Sequence, residues 1–182
     1  MRSAAAVIPL ALWILLSPKA ALAAHQPGDY SVSTTIGQSN AREDSSYDSD
    51  QTISLAVEYQ KTRLAAYRAS VGFLTLAGSS PISPSIGERN VDALFITGNI
   101  VATPRFNLLN PFLTAGVGLY SLRLSDDRGT DQSYELGANW GFGMDVQILQ
   151  HMAVRGEVLF HYTTGEVSNP IQTLAIGAHF NF

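Results

Sequence analysis

The chain has 182 residues, 46% of them apolar, with no cysteine and 15 acidic against 11 basic side chains, for a net charge of −4. Without cysteine there is no disulfide-stapled scaffold and no Cys-based metal site, and the acidic balance argues against nucleic acid as a partner. Beyond one apolar run near the start, no stretch suits a transmembrane helix.

Residues Met1 to Ala23 have the form of a secretory signal. Arg2 supplies a positive n-region, Ala4 to Leu16 a 13-residue apolar run, and Ala21-Leu22-Ala23 a small-x-small cleavage site. Thirteen residues are too few to cross a hydrocarbon layer of ~30 Å, and Pro9 would break an anchor helix. The expected mature chain is Ala24 to Phe182, a single domain of 159 residues. Losing Arg2 and Lys19 leaves 9 basic and 15 acidic residues, a net charge of −6.

Eight strand-like segments follow, each carrying the period-2 alternation of a sheet with two unlike faces. The first, Tyr30 to Gly37, puts Tyr30, Val32, Thr34 and Ile36 on one side. The second, Thr52 to Gln60, sets Ile53, Leu55, Val57 and Tyr59 against Ser54, Ala56 and Glu58. In the third, Leu64 to Leu76, Ala65, Tyr67, Ala69, Val71 and Phe73 oppose Arg68, Ser70 and Gly72. The fourth, Val91 to Thr103, is apolar on both faces and leaves its register open. The fifth, Pro111 to Leu124, sets Leu113, Ala115, Val117 and Leu119 against Thr114, Gly116, Gly118 and Tyr120. The sixth alternates most cleanly. Leu136, Ala138, Trp140, Phe142, Met144 and Val146 share one face, while Glu135, Gly137, Asn139, Gly141, Gly143, Asp145 and Gln147 share the other. The seventh, Met152 to Thr163, turns Val154, Val158, Phe160 and Tyr162 away from Arg155, Glu157 and His161. The eighth, Thr173 to Phe182, sets Leu174, Ile176, Ala178, Phe180 and Phe182 against Thr173, Ala175, Gly177, His179 and Asn181.

A soluble sandwich would use the same alternation with its apolar face inward. Three alternate glycines on the polar face of the sixth strand fit the cramped lumen of a narrow barrel better than a solvated surface. The connections also sort by length. Gln38 to Gln51, Ala77 to Asn90, Ser125 to Ser133 and Thr164 to Pro170 read as long loops at one end. Lys61 to Arg63, Pro104 to Asn110 and Leu149 to His151 read as short turns at the other, the pattern of an outer-membrane barrel. Tyr30, Tyr59, Tyr67, Phe112, Phe180 and Phe182 near the short-turn ends, with Tyr120, Tyr134 and Tyr162 near the far ends, suggest aromatic girdles.

The closing strand resembles that of the small bacterial outer-membrane β-barrels of OmpA/OmpX type. Gly177, Phe180 and Phe182 match their assembly signal of polar-x-Gly-x-x-aromatic-x-aromatic, with Ala175 departing at the polar position. The resemblance implies an all-β protein, an eight-stranded antiparallel up-and-down transmembrane β-barrel of the outer membrane. It also implies insertion by the barrel assembly machinery, with outer-membrane lipids and lipopolysaccharide as neighbours, and we expect a monomer without cofactor or metal.

Eight strands enclose a lumen just wide enough for side chains. The inward charges Glu58, Arg68, Glu135, Asp145, Arg155 and Glu157, with His161, are therefore expected to pair as a polar plug, because an unpaired buried charge is costly. The three-residue turn after the sixth strand sets Asp145 opposite Arg155. A second reading comes from His161-Tyr162-Thr163, which is similar to the His-x-Ser motif of the lipid A 3-O-deacylases, another family of small outer-membrane barrels. Thr163 stands where those enzymes have their serine nucleophile, and the alternation turns His161 inward, away from lipid. Glu43, Asp44, Asp48 and Asp50, and Asp126, Asp127 and Asp131, make two acidic loops. Asp48-Ser-Asp50 lacks the Gly and the twelfth-position Glu of a calcium loop.

Overall fold

The computed structural model describes residues 27–41, 47–78, 90–104, 108–126, 129–164 and 170–182. The signal segment, Glu43, Asp44 and Asp127 lie outside the described residues. Eight strands run in chain order: β1 (Tyr30–Ala41), β2 (Tyr47–Gln60), β3 (Ala65–Gly78), β4 (Asn90–Ala102), β5 (Leu109–Asp126), β6 (Gly129–Leu149), β7 (Met152–Thr163) and β8 (Ile171–Asn181). Each pairs antiparallel with its neighbours, and β1 also pairs with β8, so the sheet closes into an up-and-down barrel. Among the described residues no helix is long and apolar enough to cross a membrane.

The register fixes how the barrel is wound. A path along paired residues leaves β1 at Ser31 and passes Glu58, Arg68, Asn99, Gly116, Asn139, His161 and Ile171. It returns to β1 at Ala41, ten residues higher. Closure with such a stagger tilts the strands by roughly 40°. Residues level with one another along the barrel axis are therefore offset from one another along this path.

The faces are inverted relative to a soluble core. Val117 is 68% exposed and Leu136 66%, and the outer wall continues through Ile36, Leu55, Ile96 and Leu174, while Arg155 inside is 2% exposed. A sandwich with its apolar faces packed together cannot give this distribution, whereas a barrel surrounded by lipid requires it. The open register of β4 resolves with Leu94, Ile96 and Ile100 outward and Val91, Ala93, Phe95 and Val101 inward.

Two expectations need correction. The strands at the far end run further than their alternation suggested: β1 reaches Ala41, β2 begins at Tyr47, and β6 begins at Gly129. Asp48, Asp50, Asp126 and Asp131 thus stand on strands, and only residues 127–128 separate β5 from β6. In these extensions polar side chains replace the apolar ones that mark the lipid-facing side, so the residues read as loop. The second is that Phe112 does not belong to a girdle, and Tyr120 keeps the inward place that the alternation of the fifth strand gave it. Both are buried inside the barrel, because they share the inward face of β5 with Thr114.

Candidate functional site

The chemistry of this chain is inside the barrel, in layers. At the short-turn end two arginines organise the carboxylates. Arg155 on β7 donates Nε to Asp145 Oδ1 at 2.7 Å and Nη2 to Asp145 Oδ2 at 2.8 Å, a bidentate pair between facing residues of β6 and β7. Its Nη1 donates to Glu58 Oε1 on β2 and to Ser33 Oγ on β1 at 3.2 Å. Arg68 on β3 donates Nε to the same Glu58 oxygen at 2.9 Å and spans the lumen to Glu157 Oε2 on β7 at 3.1 Å. Thr35 Oγ1 donates to Glu157 Oε1 at 3.4 Å. Both guanidinium groups also lie over the Phe112 ring, with Cζ 4.7 Å (Arg155) and 5.0 Å (Arg68) from its centroid, a favourable placement for a desolvated cation. Five strands are thereby tied together by two side chains.

A neutral layer lies above. Asn99 Nδ2 donates to Asn139 Oδ1 at 2.6 Å and to Thr114 Oγ1 at 3.2 Å. Tyr120 OH and His161 Nδ1 then share a hydrogen bond of 2.9 Å, with Phe95 packed 5.1 Å from the His161 ring. Glycines make room for these rings. A Cβ at Gly72 would strike Phe95, one at Gly137 would strike Tyr120, and one at Gly143 would strike Phe112. Tyr120→Phe should cost about 1–3 kcal/mol, because it leaves a buried imidazole nitrogen without a partner. A urea midpoint equal to that of the unaltered protein would contradict this bond.

The top layer is mainly apolar, with Ser39 and Glu135 as its buried polar members. Leu74, Leu76, Val91, Ala93, Leu122 and Ile171 join Ala41, Phe95 and Tyr120 in one buried cluster, with Leu74 at 0% exposure. All belong to the inward faces of their strands. Charge alone does not fill this lumen.

The geometry sorts the seven ionisable residues that the sequence placed inward, and adds His179, buried beside the cluster. Glu58, Arg68, Asp145, Arg155 and Glu157 come together in one cluster. Glu135 stands apart toward the outer end, where Ser133 Oγ donates to it at 3.3 Å. His161 also lies outside the ionic cluster. It is 2% exposed and points into the lumen, not toward lipid, with Thr163 two residues on along the same ladder face. Sequence reasoning confined to charged residues passed over Ser33, Thr35, Asn99, Asn139 and Phe112. The alternation that placed Thr114 and Asp145 inward carries Ser33 and Thr35 on β1, Phe112 on β5 and Asn139 on β6, while Asn99 stands on β4, whose register it left open. At the short-turn end a cavity of about 30 Å³ opens onto this cluster, lined by Glu58, Gln60, Asn110, Asp145, Arg155 and His179 among others. No group of three or more His, Asp or Glu side chains able to hold a metal ion exists among the described residues.

Comparison with known proteins agrees with this architecture. The structure is similar to that of Ail, the attachment invasion locus protein of Yersinia pestis, with a TM-score of 0.60 and 16% identity over 86% of this chain and 100% of that one. It is also similar to neisserial surface protein A, with a TM-score of 0.62 and 10% identity over 85% of this chain and 97% of that one. The N-terminal β-barrel domain of Pseudomonas aeruginosa OprF gives a TM-score of 0.58 and 12% identity over 86% and 98%. At these identities the likeness is one of fold. No curated protein sequence matches the chain. Residues 9–182 match the outer membrane protein beta-barrel domain, and the chain belongs to that family of bacterial outer-membrane barrels.

Proposed function

We propose that this protein is a non-enzymatic outer-membrane barrel whose working surface is its outer end, in contact with lipopolysaccharide and other envelope or host components. The observation that carries the reading is the filled lumen. From the arginine cluster to the apolar cap, side chains of the described residues crowd the interior, and His161 is turned away from lipid, which supports a closed, non-catalytic barrel. What remains available is the polar part of the strands and the connections beyond the apolar wall, where binding normally resides on a rigid scaffold. Ail has been solved with the heparin analogue sucrose octasulfate. The acidic outer residues here, such as Asp50 and Asp131, disfavour a polyanion of that kind unless a divalent cation intervenes. In the same reading, Met1 to Ala23 is removed on export, Gly177, Phe180 and Phe182 form the signal read by the insertion machinery, and the barrel is a monomer.

Two measurements test this. Planar bilayers containing the purified barrel should stay silent, and a large steady conductance would overturn the closed lumen. Lipid A from cells with and without the protein should give the same mass spectrum. A loss matching one acyl chain, abolished by His161→Ala, would establish the deacylase reading through His161 and Thr163 instead. The inward orientation of His161 supports the first outcome.

A further inference from the structure

We infer that the lumen is a blind duct, wetted from the short-turn end as far as Tyr120 and His161 and sealed above them by apolar side chains. The cavity beside Arg155, at about 30 Å³, has room for water at the mouth of the duct. Higher up, Arg68 Nη2, Asn99 Oδ1, Asn139 Nδ2 and His161 Nε2 are buried without a protein hydrogen-bond partner. All four residues lie on the single path of paired residues that winds round the barrel. Orphan donors and acceptors of this kind cost free energy in an apolar setting and are normally met by internal water. They stop where the apolar cluster begins. Phe95 closes over His161, and Leu74, Leu76 and Leu122 lie above it, while the two polar side chains buried at that level are already engaged, Ser39 with the Thr75 carbonyl and Glu135 with Ser133. A constriction of that composition excludes water by dewetting. The seal is thus the apolar layer, and the arginine cluster below it is a hydrated polar filling. This goes beyond the surface role proposed above and does not depend on what the outer end contacts.

The chain has no cysteine, so single introduced thiols report access cleanly. Thr97 and Ala93 are inward residues of β4 on either side of Phe95; Thr97→Cys is close in volume, and Ala93→Cys adds a single sulfur atom. The folded barrel in detergent is treated with Ag⁺, a small thiol-seeking cation, then unfolded and labelled with maleimide. Thr97→Cys is expected to lose most of its later labelling and Ala93→Cys to keep it. Adding Phe95→Ala to Ala93→Cys should then expose that thiol. Thr114→Cys and Leu122→Cys on β5 repeat the comparison on a second strand if either β4 variant fails to fold. A free Thr97 thiol would mean a dry lumen, and a protected Ala93 thiol would mean that the apolar layer is no seal. Either result overturns the inference.

Discussion

Replacing Arg155 with alanine is expected to lower the stability of the folded barrel by about 3–5 kcal/mol, the usual consequence of removing one partner from a buried ionic group. Arg155 holds both oxygens of Asp145 and one oxygen of Glu58, and both carboxylates stay inside the barrel when it is gone. Arg68 still reaches Glu58, but Asp145 loses its guanidinium partner. Arg155→Lys should recover part of the loss, because an ammonium restores the charge without the planar two-point contact. Urea titration of the barrel refolded in detergent or lipid vesicles reads the effect as a lower midpoint. An unchanged midpoint for Arg155→Ala would show that the cluster does not depend on its central cation.

Gly177→Val is expected to be at least as damaging, for a steric reason. A Cβ at Gly177 would run into the carbonyl oxygen of Thr34 and approach the Cα of Thr35. Both are backbone atoms of β1, in the ladder that closes the barrel, so neither can rotate aside. Overpacking of this kind typically costs about 1–3 kcal/mol even where side chains can adjust, and here the seam itself must part. Gly98→Val is the matched control. It makes the same change in a strand, but on the outer face, where a Cβ meets nothing within 4 Å. Refolding yield, followed by the shift in gel mobility between unheated and boiled samples, should collapse for Gly177→Val and hold for Gly98→Val. Equal yields would remove the packing argument. The glycine shared with the family's closing-strand pattern thus has a local reason to be there, separate from recognition by any assembly factor.

The fold was legible wherever lipid and lumen impose different side chains on the two faces of a strand. The middle of β6 shows this best, where Trp140, Phe142 and Met144 alternate with Asn139, Gly141 and Gly143. Legibility failed in two places for opposite reasons. In β4 the lumen itself is apolar, so Val91, Ala93 and Phe95 inside look like Leu94 and Ile96 outside, and sequence alternation cannot separate them. In the outer parts of β1, β2, β5 and β6 polar residues interrupt the alternation, and Gln38, Asp50, Ser125 and Gln132 resemble loop residues. The cluster was readable in part. A tight turn puts Asp145 beside Arg155 through local pairing. The contacts of Arg68 with Glu157 and of Arg155 with Glu58 join strands far apart in the sheet, and only the ten-residue stagger brings those pairs to the same level.

That stagger also determines how the molecule stands in a bilayer. A strand tilted by roughly 40° climbs about 2.5 Å along the barrel axis per residue. The 12 residues of β1 or of β7 therefore rise roughly 30 Å, about the thickness of the hydrocarbon layer, so these strands end close to its outer surface. β6 continues for the eight residues from Gly129 to Leu136 beyond Gly137, which pairs with Thr163 at the end of β7, and among the described residues its ladder partner there is β5, with Thr164 also donating to the Leu136 carbonyl. This adds roughly 20 Å of height on one side of the mouth alone. Tyr134, 80% exposed, stands on the lipid-side face of that extension with its hydroxyl held by Gln132 Nε2 at 3.1 Å. Among the described residues the strands thus end at unequal heights, as a half-wall and not a level rim, and β5 and β6 present a flank beside the opening.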